Sequence, residues 1–183
     1  MSVPTVGHKR KLKRVARYLS GRRRVVWKYA WQGRPEAIEV YTDSDWAGCA
    51  KTRKSTSGGV IKVGSHVVKT WSRTQKAVAL SSGEAEVIPL VMGVSEASGL
   101  QRMAETWGAK YGIVGLCDST AAMGICERKG VGRIRHLDVG MMWIQDLRAD
   151  GGVSVKKVKG TENPADQLTK YLGKENVESR WRS

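Results

Sequence analysis

The sequence predicts an α/β fold, a mixed sheet with helices packed on its faces. Three observations predict it. Short β-rich runs alternate with helical stretches along most of the chain. Two of the β-rich runs are separated by only Gly64 and Ser65, a connection that suits a hairpin. A single long helical stretch then follows, and after it strands and helices alternate. The hairpin supplies antiparallel neighbours and the alternating part supplies parallel ones, which together make a mixed sheet.

Each element has its own signal. Across residues 8–20, Leu12, Val15, Ala16 and Leu19 recur at helical spacing on one face, basic residues cover the other, and Gly21 is a natural stop. Such a helix either docks on a neighbouring domain or touches a phosphate backbone. Residues 25–31 read as a strand. After a polar break at 32–35, AIEVYTD is a strand ending in acid, and GGVIKVG and HVVKTWS form the hairpin. Helical character runs from Ser82 to Trp107, opened by Ser81 with Glu84 three residues later, a capping-box spacing. IVGLCD is a short buried strand. Residues 119–128 and 134–149 read as helices, VSVKKVKG as a strand, and NPADQLTK as a final helix with Asn163 as cap and Pro164 in its first position. Pro89 falls inside the long helix, where an interior proline forfeits a hydrogen bond and costs about 3 kcal/mol. Two outcomes stay open there, a kink that moves Glu86 and a bend that the helix tolerates. The expected organisation is a basic helix and strand over 1–33, a main domain over 34–172 and a polar tail over 173–183.

Composition narrows the function class. The 183 residues include 32 Lys and Arg against 17 Asp and Glu, a net charge of +15 that points to a polyanionic partner, most simply nucleic acid. The 3 cysteines are far apart and form no CxxC pair, which argues against zinc and fits a reducing, intracellular compartment. No apolar run has the length of a signal peptide or a membrane span, so neither secretion nor a membrane partner is expected.

The acids carry the chemistry. Asp43 and Asp118 each end a strand, where α/β sheets place ligand sites. Glu86 lies in the first turns of the long helix and Asp166 in the first turn of the last. Singly, each reads as a turn or helix-dipole residue. If the strands of Asp43 and Asp118 are parallel neighbours, the carboxylates converge, and converging carboxylates need a cation to ionise together. An all-oxygen ligand set suits magnesium or manganese. Two such ions about 3.5–4 Å apart would serve in-line phosphodiester cleavage.

The motifs TDSDWAG, KSTSGGVIKVGS, TWSRTQKAVALSSGEAE, LCDS, RIRHLDV and KGTENPADQLTK resemble, in this order and spacing, the ribonuclease H domain of copia-type retrotransposon Pol polyproteins. The resemblance covers about residues 38–172, and KLKRVARYLSG looks like the end of the reverse transcriptase in the same polyproteins. It implies a ribonuclease H-like fold: a five-stranded mixed sheet, order 3-2-1-4-5, with helices on both faces. It implies hydrolysis of the RNA strand of RNA–DNA hybrids during reverse transcription, with two Mg2+ ions (Mn2+ as a substitute) and an adjacent reverse transcriptase domain as partner. The carboxylate set carried over is Asp43, Glu86, Asp118 and Asp166. Asp43 would bridge both metals, Glu86 and Asp118 would hold the one nearer the leaving group, and Asp166 the one that activates water.

Asp45 competes with Asp43 for the first place, and Glu84 with Glu86 for the second. Asp43 directly follows its strand and Glu84 has the capping position, so Asp43 and Glu86 are preferred. Hybrid recognition needs cations and hydroxyls beside the acids. KTRKSTSGG offers Lys51, Arg53, Lys54, Ser55, Thr56 and Ser57; Arg73, Gln75 and Lys76 follow the third strand. His136 reads as structural or as a substrate contact, and Trp46 as a core residue rather than a sugar contact. The KGTEN loop lacks the histidine of many cellular ribonucleases H, as in other copia-type members. Gly83, Pro89 and Ser119 depart from the family's usual residues without removing an acid. Rival expectations are a catalytically silent nucleic-acid-binding relic, a structural module of a reverse transcriptase, and a DNA-directed nuclease.

Overall fold

The structure, a computed structural model, describes residues 3–24, 26–130 and 139–170. The chain divides into two compact units, Met1–Trp31 and Gln32–Ser183.

The first unit is built on helix α1, Val6–Gly21. Thr5 opens it: its hydroxyl accepts from the His8 N–H at 3.3 Å, and His8 Nδ1 accepts from the Thr5 N–H at 3.1 Å. Gly21 is the last helical residue rather than the stop, and Arg22 caps the end by donating its N–H to the Leu19 carbonyl at 3.1 Å. Of the strand expected over 25–31, residues 26–31 carry no regular structure, and Val25 lies outside the described residues. β-propensity alone does not make a strand.

The second unit contains β1 (Ala37–Asp45), β2 (Thr56–Val63), β3 (His66–Thr74), α2 (Ser82–Thr106), β4 (Gly112–Cys117), α3 (Thr120–Glu127), α4 (Val139–Ala149) and β5 (Ser154–Lys157). Two 3-10 turns follow, Gly160–Glu162 and Pro164–Leu168. The five strands form one mixed sheet, order β3-β2-β1-β4-β5. β1 pairs antiparallel with β2 and parallel with β4; β4 pairs parallel with β5. This is the ribonuclease H-like order the resemblance implied.

The polar break before β1 is used. The Gln32 amide donates to the Val63 carbonyl at 2.9 Å and its oxygen accepts from the Ser65 N–H at 2.8 Å, strapping the β2–β3 hairpin, where Gly64 takes φ +61°. Alternate residues of β1, Ile38, Val40 and Thr42, face α2 and join a core with Ile61, Trp71, Leu90, Val94 and Ile113. The helix approaches closely because Gly93 has no side chain: a Cβ there would lie 2.4 Å from Val40 Cγ1. The opposite face of β1 and β2 receives the last 3-10 turn. A Cβ on Gly58 would meet Leu168 Cβ at 2.9 Å and Thr169 Cγ2 at 2.8 Å.

Two expectations are corrected and a third is decided. The last element is the 3-10 turn Pro164–Leu168 rather than an α-helix, fastened to the sheet at both ends: Asn163 Nδ2 donates to the Thr42 carbonyl at 2.9 Å, and Ser72 Oγ donates to the Leu168 carbonyl at 2.6 Å. Asn163 still caps it, accepting from the Ala165 N–H at 3.1 Å. At Pro89 the tolerated outcome holds, and α2 runs on through it to Thr106. Trp46 is not core but 57% exposed, because the chain turns away at Ala47 (φ 55°); its indole N–H donates to the Ala79 carbonyl at 3.2 Å. The expected start of α4 at 134 and the tail over 173–183 lie outside the described residues.

Candidate active site

The parallel pairing of β1 with β4 sets Tyr41 opposite Leu116. Asp43 and Asp118 each stand two residues farther along, so both emerge at the same end of the sheet. Glu86, one turn into α2, is brought over that end. Carboxylate oxygens of Asp43, Glu86 and Asp118 all lie within 4.8 Å of one another. Gly160 stands beside them; a Cβ there would lie 3.0 Å from Asp118 Oδ2, so the first 3-10 turn passes close to the cluster.

The electrostatics are those of crowded acids. Burial first, then the charges of Asp43 and Asp118, push the Glu86 carboxyl up to about 8, against the pull of a backbone hydrogen bond from Ser44. Glu86 Oε2 is buried with no hydrogen-bond partner among the described residues. Asp43 is only 1% exposed. Burial raises its pKa too, opposed by a hydrogen bond from Thr169 and by Lys170, and reinforced by Asp166 and Asp118. An ammonium already stands in the site. Lys170 Nζ is 3.7 Å from Asp43 Oδ2 and pairs directly with Asp166 Oδ1. Burial works to lower the Lys170 pKa, but the Asp166 hydrogen bond and the charges of Asp43, Asp166 and Asp118 outweigh it, and the net shift is upward.

An acid trio whose buried oxygen lacks a partner, and whose charges hold a carboxyl near neutral pH, fits a hard divalent cation: the donors are all oxygen and the cation would supply what Glu86 Oε2 lacks. Asp166 stands beside this trio rather than in it, linked through Lys170. Asp45 is turned away; its Oδ1 accepts from the Thr56 N–H, and a Cβ on Gly48 would lie 2.1 Å from its Oδ2, so the following loop folds around it. Glu84 is a capping residue: its N–H donates to Ser81 Oγ at 3.1 Å, and its Oε2 accepts from the Leu80 N–H at 2.7 Å. The sequence missed Lys170 and Thr169; the run TK one turn after Asp166 was their only signal.

The expected substrate residues divide into two groups. Arg73 and Lys76 are exposed, and Lys54 and Thr56 are half-buried. Register places Asp43 opposite Gly58, Gly58 opposite Ser72, and Arg73 one rung farther on, so Arg73 lies two strands, about 10 Å, from the Asp43 position. Ser57 and Gln75 are not surface groups. Gln75 is 5% exposed, and its amide donates to Ser57 Oγ and to the Ala85 carbonyl, each at 2.9 Å. The periodicity of an exposed strand end hid this inward turn. His136 lies outside the described residues.

Comparison with known proteins gives the following. No family model matches the chain. It is 33% identical over 148 residues to the retrovirus-related Pol polyprotein from transposon TNT 1-94 of Nicotiana tabacum, a match covering 80% of this chain and 11% of that polyprotein. It is 30% identical over 179 residues to the Pol polyprotein from transposon RE1 of Arabidopsis thaliana, covering 95% of this chain and 12% of the relative. The chain therefore spans about one-ninth to one-eighth of the length of these relatives. Among solved structures it resembles LC11-RNase H1 in complex with an RNA/DNA hybrid, with TM-score 0.51 and 15% identity, covering 72% of this chain and 92% of that one. At that identity the likeness speaks for the fold.

Proposed function

Because the chain belongs to the copia-type retrotransposon Pol family and carries a ribonuclease H-like fold, we propose that it hydrolyses the RNA strand of RNA–DNA hybrids with divalent metal at Asp43, Glu86 and Asp118. The observation that carries this reading is the buried, partnerless oxygen of Glu86 among converging acids. When bound, divalent ions in such a site activate a water and stabilise the leaving oxygen. The chain's own residues supply the rest. Asp43, central and buried, is oriented by Thr169. Glu86 and Asp118 complete one ligand set. Asp166, now paired with Lys170, would be the ligand for a second ion in a two-metal arrangement. Register sets Thr56 and Arg73 toward the same end of the sheet as the acids, with Lys54 two residues before Thr56 and Lys76 three after Arg73, and this set suits backbone phosphates and 2′-hydroxyls, the features by which hybrids are recognised. The net charge of +15 draws the polyanion in.

The reading extends to setting. A reverse transcriptase portion of the same polyprotein is the proposed partner, and the three free cysteines suit a reducing compartment. No helix among the described residues is long and apolar enough to cross a membrane.

The direct test is cleavage of end-labelled RNA–DNA hybrid with and without Mg2+ or Mn2+, beside DNA–DNA and RNA–RNA duplexes. Metal-dependent cutting of the RNA strand, abolished in Asp118→Asn and kept in Asp45→Asn, is expected. Metal-independent cutting, or full activity in Asp118→Asn, rejects the assignment. A second reading, a nucleic-acid-binding module held silent, is favoured by one observation: Lys170 already neutralises Asp43 and Asp166. Hybrid binding without turnover at any metal concentration would select it.

A further inference from the structure

Proline at position 89 has no N–H to give the carbonyl of Ala85, four residues earlier, so the helix forfeits one rung there. Ala85 is fully buried, and water cannot take the place of the lost donor. A buried carbonyl left without a donor carries its whole desolvation cost. The structure supplies a donor from another element. Gln75, in the loop after β3, places its amide nitrogen 2.9 Å from the Ala85 oxygen.

Gln75 is held for this purpose. Its N–H donates to the Ser55 carbonyl at 2.7 Å, and its side-chain nitrogen also donates to Ser57 Oγ at 2.9 Å. Its own amide oxygen is buried with no partner among the described residues. A buried amide that leaves its oxygen unsatisfied is retained for its N–H groups. The two groups it joins matter. Ser57 precedes Gly58, the residue opposite Asp43, and Ala85 precedes Glu86. One path from one acid to the other therefore runs through this side chain, beside the direct hydrogen bond from the Ser44 backbone to Glu86.

We propose that Gln75 is a positioning residue: it replaces the backbone hydrogen bond that Pro89 removes, and so sets the first turns of α2, and Glu86 with them, against the β1–β2 pair that carries Asp43. The replacement stands on hydrogen bonding alone; the consequence for the acids rests on the metal-binding reading above.

A double-substitution cycle tests both parts. Gln75→Met keeps the length and removes the donor; Pro89→Ala returns the N–H. Urea unfolding and Mn2+ binding, followed by electron paramagnetic resonance, are measured on the parent, both single variants and the double variant. Gln75→Met is expected to shift the unfolding equilibrium about tenfold toward the unfolded chain when residue 89 is proline, and far less when it is alanine. It is also expected to weaken Mn2+ binding about tenfold, with recovery in the double variant. Equal stability losses in both backgrounds, or undiminished Mn2+ affinity in folded Gln75→Met, overturn the proposal. If Gln75→Met alone does not fold, the double variant must; its failure is equally fatal. A parent chain that binds no Mn2+ defeats the metal reading and the positioning role together, while the unfolding cycle still decides whether Gln75 replaces the lost rung.

Discussion

Asn163, fully buried, donates its side-chain nitrogen to the carbonyl of Thr42 at 2.9 Å, and Thr42 immediately precedes Asp43. One bond thus couples the turn Pro164–Leu168 to the central strand at the acid cluster. Asn163→Ala leaves that carbonyl buried without its donor and removes the cap on the 3-10 turn. A loss of about 2–3 kcal/mol is expected in urea unfolding. A change below about 0.5 kcal/mol would show that the turn holds without it.

The two glutamates of α2 separate by stability and metal affinity. Glu84→Gln weakens the cap and is expected to cost about 1 kcal/mol, with Mn2+ affinity unchanged. Glu86→Gln removes a buried carboxylate crowded by Asp43 and Asp118, so the metal-free chain becomes more stable at pH 8 and Mn2+ binding falls by at least about tenfold. Calorimetric melting and Mn2+ titration on both variants settle which glutamate serves the cluster; the reverse pattern would exchange their roles.

Acidity and metal are linked through the same residue. Glu86 has a folded pKa of about 8 against an ordinary value of 4.5. A carboxyl raised on folding contributes stability that is fully present below about 4.5 and is lost as pH rises through about 8. Asp43 shifts in the same direction. The metal-free chain is therefore expected to lose melting temperature between pH 5 and pH 8 in steps of about 0.5. Millimolar Mg2+ or Ca2+ should flatten that decline, because the cation favours the ionised acids. A metal-free profile that rises over this window contradicts the crowding of the site.

Lys170 competes with any cation for Asp43 and Asp166. Lys170→Ala takes the ammonium from both carboxylates and is expected to tighten Mn2+ binding by about threefold to tenfold, a modest effect because the ammonium is half-exposed. Weaker binding in the variant would instead make the lysine a support of the site.

The cysteines differ in reactivity. Hydrogen bonding to Thr52 holds the exposed Cys49 thiol below its usual range, whereas burial pushes Cys117 up to about 11 and Cys126 to about 12. Mass spectrometry after brief iodoacetamide treatment at pH 7 should find the label on Cys49 alone. Label on Cys126 before Cys49 would mean that the core is open.

Much of this is legible in the sequence. The mixed sheet follows from the hairpin and the alternation, its strand order from the resemblance, and the convergence of Asp43 with Asp118 from parallel pairing of their strands. Asp45 and Glu84 declared themselves through local chemistry, a turn and a cap. What escaped was non-local. Residues 26–31 have strand propensity but take no regular structure. Gln75 follows an exposed strand, and only the orphaned Ala85 carbonyl on another element explains why it turns inward. Pro89 carries a local penalty that a distant side chain offsets. Lys170 meets Asp43 across the whole domain, a relationship no sequence window contains.

The bond between Asn163 and Thr42 spans 121 positions of the chain, and that between Thr169 and Asp43 spans 126. On a translating ribosome the sheet's first strand and long helix are made early, and the fourth acid arrives last. Until residues near 170 clear the exit tunnel, Asp43 has neither Thr169 nor Lys170 beside it. A nascent chain would thus carry three crowded carboxylates without their ammonium, and free divalent ions are the cations then at hand to quiet them.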